Sequence, residues 1–174
     1  VEEECRKPAS KYFGIFENHI IPMRGLSMVL AKKVCADLEI VEISALLHDI
    51  GSIIHGRENH HLAGAEIAEK KLRELNYPEE KIEKVKKCIL NHRGSVNNFK
   101  ESVEEQIIAE ADSISNFDNL AGIFMAAYLT EGLTQSEAKK SAREKLERKW
   151  KKLQFNESRE LIKPKYNAAM LLLK

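Results

Sequence analysis

The sequence predicts an all-α fold, a single-domain helical bundle of about seven to nine helices. Three observations point there. Apolar residues return at intervals of three and four in segment after segment, the spacing that lines one face of a helix. No stretch alternates strictly between apolar and polar residues, as a half-buried strand would. Glycine and proline are scarce, 8 and 4 in 174 residues, too few for a turn-rich β architecture.

A chain of 174 residues can bury a real core, and one domain spanning 1–174 is expected. Hydrophobic residues are 43% and charged residues 32%, the balance of a soluble globular protein. The formal net charge of +1 gives no global field for nucleic acid, so any preference for anions must come from a local site. Cys5, Cys35 and Cys88 are odd in number and lack CxxC spacing, and read as reduced thiols of a cytoplasmic protein. No apolar run approaches membrane-spanning length and no signal peptide is visible, so no membrane partner is expected. The sequence begins at Val1 instead of Met, and a few upstream residues are expected to be missing.

Residues 1–17 are mixed, with Pro8 and an apolar cluster of Tyr12, Phe13, Ile15 and Phe16, and read as a short helix packed as a lid or arm. From Asn18 to Cys35, the positions Ile20, Met23, Leu26, Leu30 and Val34 form a helical face. Proline is tolerated in a first turn, where backbone donors lack partners anyway. Pro22 therefore places the helix start near an Asn18 N-cap, with His19 in the first turn. A longer helix kinked at Pro22 is the alternative. Asp37-Leu38-Glu39 opens the next helix with acids at its positive end. That helix runs through Val41, Ala45 and Leu46 to His48-Asp49 in its last turn, and Gly51 is a natural stop. Residues 52–60 read as a loop.

His61 to Leu75 is the next helix, striped by Ala65, Ala68, Leu72 and Leu75. A turn at Asn76-Tyr77-Pro78 starts another, through Ile82, Val85, Ile89 and Leu90 to His92, ended by Arg93-Gly94-Ser95. A polar loop is expected over 94–101. Val103 to Phe117 is helical and carries Asp112 among Ile107, Ile108, Ala111 and Ile114. The very apolar stretch from Asn119 to Leu129 reads as a buried helix, broken by Gly132. Thr134 and Glu137 have capping-box spacing for a helix over roughly 135–153, with Leu146, Trp150 and Leu153 on one side. In the last segment, from Ser158, Pro164 reads as a break. The eight basic residues between Lys139 and Lys152 read as the solvated face of an amphipathic helix, with polyphosphate or nucleic-acid binding the less favoured reading. The 120–129 helix and Met170-Leu-Leu-Leu173 read as core or as the interface of a homodimer.

Chemistry concentrates in a few polar residues on apolar faces or at helix ends. His48 and Asp49 sit side by side in the apolar run 43–51. Burying an imidazole and a carboxylate without partners costs several kcal/mol. A buried His–Asp hydrogen bond is one compensation, and a metal cation is a stronger one. His19, His61, His92 and Asp112 join the pair, and antiparallel helices would bring such starts and ends to one end of a bundle. Four imidazoles and two carboxylates suit Fe, Mn, Co, Ni or Zn better than Mg or Ca.

The order His19, His48-Asp49, Asp112, together with the words "HII", "SALLHDIG" and "IIAEADSISNF", resembles the HD-domain superfamily of metal-dependent phosphohydrolases. "HHLAGAEIA" around His61 and "ILNHRGS" around His92 resemble the members that hold two metals. The resemblance covers about His19 to Phe117, a motif-bearing core of 18–117 with 118–174 as helices packing on it. It implies that His19, His48, Asp49 and Asp112 bind one divalent transition metal, and that His61 and His92 bind a second with Asp49 bridging. It also implies hydrolysis of a phosphate ester or anhydride, with a nucleotide or small phosphorylated metabolite as substrate and Asp49 as the catalytic carboxylate. Many relatives carry lysine after "HDIG", where this chain has Ser52. Arg57, Arg93 and Arg24 are candidate replacements for that cation, each weighed evenly against a solvated arginine. His60 adjoins His61 and is expected to be a spectator or a donor behind the ligands, and His55 a surface residue. Two other readings stay open. One is a di-iron oxygenase of the same superfamily. The other is a binding module that senses a nucleotide without turnover.

Overall fold

In a computed structural model, described over residues 1–12, 14–93 and 100–174, no strand occurs among the described residues. The helices are α1 (Glu2–Arg6), α2 (Ile21–Lys33), α3 (Leu38–Leu47), α4 (Ile50–His55) and α5 (His60–Glu74), then α6 (Glu79–Asn91), α7 (Val103–Ser115), α8 (Leu120–Leu129), α9 (Gln135–Lys152) and α10 (Asn156–Leu172). The all-α expectation holds. Eight of these helices have ten residues or more, within the expected number, and α1 and α4 are short additions. The chain forms two compact units, Val1–Ala111 and Asp112–Lys174, with the boundary inside α7.

In the first unit α5 packs against both α4 and α6, α3 packs against α2 and α6, and α1 lies on α4. Met23, Leu30, Ile40, Ile82, Val85 and Ile89 are buried at the centre. Each such side chain contributes about 1.5–3 kcal/mol by leaving water. A second cluster of Ile20, Ile50 and Ile53 is covered by Val1, Cys5 and Phe16. The N-terminal segment is thus an arm on α4, tied by the Lys11 amide to the Ile53 carbonyl at 3.1 Å. Phe13 of the expected apolar cluster, and 94–99 of the expected polar loop, lie outside the described residues.

The approach to His19 differs from the N-capped start at Asn18. Phe16–Ile20 form a π turn that runs straight into α2. Asn18 does not cap: its side-chain amide donates back to the Gly14 carbonyl at 2.9 Å. Pro22 supplies the reason, because a residue without an N–H interrupts the ladder of i→i−4 bonds. The Ile21 amide reaches back five residues to the Phe16 carbonyl instead.

Gly51 is not a helix stop either. α3 ends at Leu47, the chain leaves helical geometry at Asp49 (φ −106°, ψ 11°), and α4 resumes at Ile50, so 52–55 of the expected loop is helical. Glycine is needed at 51 for a close approach. A Cβ there would collide with the carbonyl oxygen of His60 and stand 2.7 Å from the amide nitrogen of Gly64. Asp37 caps α3 as expected, its Oδ1 accepting from the amides of Glu39 (3.0 Å) and Ile40 (3.2 Å).

In the second unit α8 and α10 pack on α9. The Thr134–Glu137 capping box opens α9, which buries Ala138, Ala142 and Leu146. Trp150 stacks on Tyr166 with ring centroids 4.3 Å apart. Pro164 does not break α10, which runs through it. The residue is exposed, so the carbonyl it leaves unpaired faces water. α8 is not wholly buried: Ile123 and Ala127 are covered, while Met125 and Leu129 are exposed. No helix among the described residues is long and apolar enough to cross a membrane.

The three cysteines are free thiols. Burial pushes the Cys88 thiol up to about 12, whereas Cys35 is exposed. Thiolate, not thiol, is the nucleophile, so at about pH 8 a disulfide reagent should label Cys35 in the native protein and reach Cys88 only after denaturation. Rapid native labelling of Cys88, read by peptide mass spectrometry, would contradict this packing.

Candidate metal centre

Four imidazoles of the first unit converge on one carboxylate. Asp49 Oδ2 lies 3.4 Å from Nε2 of His19 and 3.5 Å from Nε2 of His48. Those two nitrogens are 3.0 Å apart. On the other side, Asp49 Oδ1 lies 3.6 Å from Nε2 of His60 and 3.8 Å from Nε2 of His92, and that pair is 3.4 Å apart. The arrangement is two triads, His19–His48–Asp49 and Asp49–His60–His92, sharing Asp49 and giving each triad one oxygen.

Local structure fixes which ring nitrogen faces inward. His48 Nδ1 lies 2.8 Å from the Ala45 carbonyl, His60 Nδ1 2.8 Å from the Arg57 carbonyl, and His92 Nδ1 2.6 Å from the Ile89 carbonyl. A carbonyl only accepts, so in each ring Nδ1 carries the proton and donates it. Nε2 is left as the nitrogen that faces the centre, and once it is deprotonated it offers a lone pair there. All three carbonyls stand three residues before the histidine. His48 and His92 sit just past the last residues of α3 and α6, where helix carbonyls lack amide partners. His60 uses the same reach backwards at the start of α5, after Asn59 in the left-handed region (φ 49°).

Burial opposes ionisation of Asp49, yet protons on the inward Nε2 atoms outweigh it and hold its carboxyl well below the usual carboxylate range. First comes the positive charge of a protonated His48 ring, then the hydrogen bonds from His19 and His48 and the charge of His92; a metal ion would stand in place of those protons. The centre therefore has an ionised carboxylate between two pairs of inward-facing imidazole nitrogens. Lone pairs at 3.0 and 3.4 Å repel unless a proton or a metal ion lies between them. Imidazole and carboxylate donors in these numbers fit a divalent transition metal in each triad, with the distal Nδ1–H bonds orienting the rings.

The HD-domain family profile matches residues 16–117. The chain belongs to the HD-domain family. Members of that family bind divalent metals, and both triads lie within the matched span. Bacillus subtilis YpgQ, solved in complex with ADP, is 21% identical with a TM-score of 0.73, over 98% of this chain and 90% of that one. A predicted HD superfamily hydrolase from an uncultured Thermotogales bacterium is 23% identical with a TM-score of 0.55, over 84% and 85%. Both likenesses show the fold. The tRNA (cytidine(56)-2'-O)-methyltransferase of Thermoplasma volcanium is 32% identical over 107 residues, 56% of this chain. This HD-domain chain spans only 30% of that relative's length.

Of the residues expected as ligands, His19, His48, Asp49 and His92 meet in the centre. The HD-domain centre differs from expectation at the paired histidines. His60, not His61, faces Asp49 and His92. One residue on a helix is a turn of about 100°, and α5 is phased on His60, Gly64, Ala68 and Leu72, all buried. The expected stripe is buried at Ala65, Ala68 and Leu72 and exposed at Leu75, while the choice of His61 rests on its spacing before Ala63-Gly64-Ala65 in the family pattern, which the geometry does not follow. The four-residue step from His60 to Gly64 was the available signal. His61 Nδ1 is buried without a hydrogen-bond partner, and burial, with His60 and Arg93 adding to it, lowers the proton affinity of its ring.

Asp112 stands on α7 at the first position of the second unit, its Oδ2 3.4 Å from Lys149 Nζ. Lys149 therefore pairs with a carboxylate instead of lying only on a solvated face. Arg24 is paired with Glu42. Arg57 is exposed and three residues before His60, and Arg93 is half-buried and follows His92 directly. Ser52 is buried in α4, and His55 is exposed as expected.

His60→Ala should remove one of two bound ions and His61→Ala neither, counted by plasma mass spectrometry of the reconstituted protein. The reverse result would restore the His61 assignment. Gly51→Ala should cost about 1–3 kcal/mol from overpacking and, by prising α5 from α4, weaken the His60 side of the centre more than the His19 side in a metal titration.

Proposed function

We propose that this HD-domain chain is a metal-dependent phosphohydrolase that cleaves a phosphate ester or anhydride of a nucleotide or other small phosphorylated metabolite. One observation carries the reading: a single ionised carboxylate offers one oxygen to each of two imidazole pairs. His19, His48 and Asp49 would hold one divalent ion, with Asp112 joining them by resemblance to the family. Asp49, His60 and His92 would hold the other. Divalent ions held there supply Lewis acidity, which neutralises phosphoryl charge and makes water acidic enough to be deprotonated near neutral pH.

The chain's own contributions follow from its geometry. Asp49 would be shared by the two sites, offering one oxygen to each. The carbonyls of Ala45, Arg57 and Ile89 keep three rings in the tautomer that binds metal, each bond worth about 1 kcal/mol. Arg93 and Arg57 are the cations best supported for gripping a non-transferred phosphate oxygen. Arg24 is the weaker candidate because Glu42 engages it. Nucleotides come first as a substrate class because the B. subtilis relative of the same fold was solved with ADP. The methyltransferase name of the T. volcanium protein is not carried over, since the match spans 30% of it.

The test is reconstitution with Mn, Co, Ni, Mg or Fe, then a phosphate-release screen across nucleotides with oxygen uptake followed in parallel. Phosphate release is expected with a transition metal. Oxygen uptake without phosphate would favour the di-iron oxygenase, and tight nucleotide binding without product the sensing module. Asp49→Ala should lose bound metal and cut phosphate release by roughly a thousandfold or more, the several kcal/mol that metal ions supply. A metal-replete, active Asp49→Ala protein would sink the reading.

A further inference from the structure

We propose that Lys100 and Glu105 form a clamp on Asn91 that positions His92, and with it the second metal site. The inference rests on the two-ion reading above.

α6 ends at Asn91, so the carbonyls of its last turn lack amide partners within the helix. The ammonium of Lys100 donates to the Asn91 carbonyl oxygen. A cation at this end also suits the helix dipole. The side chain of the same residue is held separately: Asn91 Nδ2 donates to Glu105 Oε2 at 2.7 Å. The backbone carbonyl and the side-chain amide nitrogen of Asn91 are therefore engaged by Lys100, just before α7, and by Glu105 in its first turn.

Glu105 itself is anchored. Its amide donates to Ser102 Oγ at 3.2 Å, and its Oε2 also accepts from the Glu101 amide at 3.4 Å. The residue is 1% exposed. Few carboxylates are buried so completely, because desolvating the charge costs several kcal/mol unless donors compensate. Here the donors are the Asn91 amide, the Glu101 amide and the positive end of α7.

His92 follows Asn91 directly and is the first residue past the helix. The clamp fixes the backbone that leads into it, and the Nδ1–H bond to Ile89 sets the ring. His92 Nε2 must lie near both His60 Nε2 and Asp49 Oδ1, and a small rotation at Asn91 would swing it away. The first triad has no residue on α6, so the clamp should act on one ion and not the other. Glu105 is a positioning residue on this reading, since it acts through Asn91.

The experiment is a titration of the metal-stripped full chain with Mn2+, followed by calorimetry and by low-temperature EPR. The wild-type chain should take two ions and show the spin-coupled signal of a pair. Glu105→Ala should keep the first affinity, bind the second ion about 10–100-fold more weakly, and lose the coupled signal at two equivalents. Glu105→Gln retains an acceptor oxygen for Asn91 and should behave as wild type. Lys100→Ala should show the same selective weakening, and serves if Glu105→Ala does not fold. Glu101→Ala, which removes only the exposed pair with Lys87 between the same segments, should change neither affinity. Equal weakening of both ions in the Glu105 and Lys100 variants would mark general loosening and overturn the clamp. So would two unchanged affinities in a folded Glu105→Ala chain beside a two-ion wild type. A wild type that takes a single ion overturns the two-ion reading and the clamp together.

Discussion

Asp49 is a residue with two faces, and the fold is arranged so that both are used. One oxygen meets the imidazoles of His19 and His48, the other those of His60 and His92. A carboxylate inside a regular helix would project from one face and meet one neighbour. Asp49 instead occupies the point where α3 has ended and α4 has not begun. The interruption lets neighbouring residues of one chain, His48 and Asp49, serve a common site. It also makes α4 short and brings it against α5, which is why glycines stand at 51 and 64. With a side chain at 51, α5 could not approach, and His60 would not reach the second oxygen.

The same economy appears in the ring orientation. An imidazole that is to bind metal through Nε2 needs a place to put the proton on Nδ1. Helix ends offer unpaired carbonyls, and a histidine just past the end can reach the one three residues back. His48 and His92 both do so. A feature that costs stability in an uncapped helix becomes the device that selects the tautomer. Placing ligands at helix termini is therefore a direct consequence of backbone chemistry, and it explains why the centre gathers ends of helices and not their middles.

Much of this was legible in the sequence. The helical class followed from spacing, and the membership of His19, His48, Asp49 and His92 in one site followed from polar residues standing on apolar faces, read beside the family pattern. What was not legible depended on contacts between segments. Gly51 reads as a stop in any one-dimensional account, because its role lies in the carbonyl of His60 across the α4–α5 contact. The π turn at His19 is a response of the backbone to Pro22, and the sequence marks only the proline. The choice between His60 and His61 depends on which ring reaches Asp49 from the start of α5, and the spacing before Ala63-Gly64-Ala65 does not mark it. Pro164 was read as a break although its exposed position lets water satisfy the freed carbonyl.

On the proposed function, the grip on phosphate would turn on position 52, where this chain departs from the family pattern it resembles. Ser52 is buried, 5% exposed, in the short helix that follows Asp49. A lysine there would have to carry its ammonium out of an apolar setting to reach water or an anion. With serine in its place, the cations near the centre are arginines tied by sequence to the second triad. Arg57 lends its carbonyl to His60, and Arg93 follows His92. The backbone segments that present the second pair of imidazoles are thus the ones that carry the guanidinium groups. Ordering those segments around an ion would order the arginines too, so on the proposed function ion binding at the second triad and anion binding beside it would be coupled through shared backbone. A lysine on α4 would instead have been placed by the packing of α4 alone, whatever the state of the second triad.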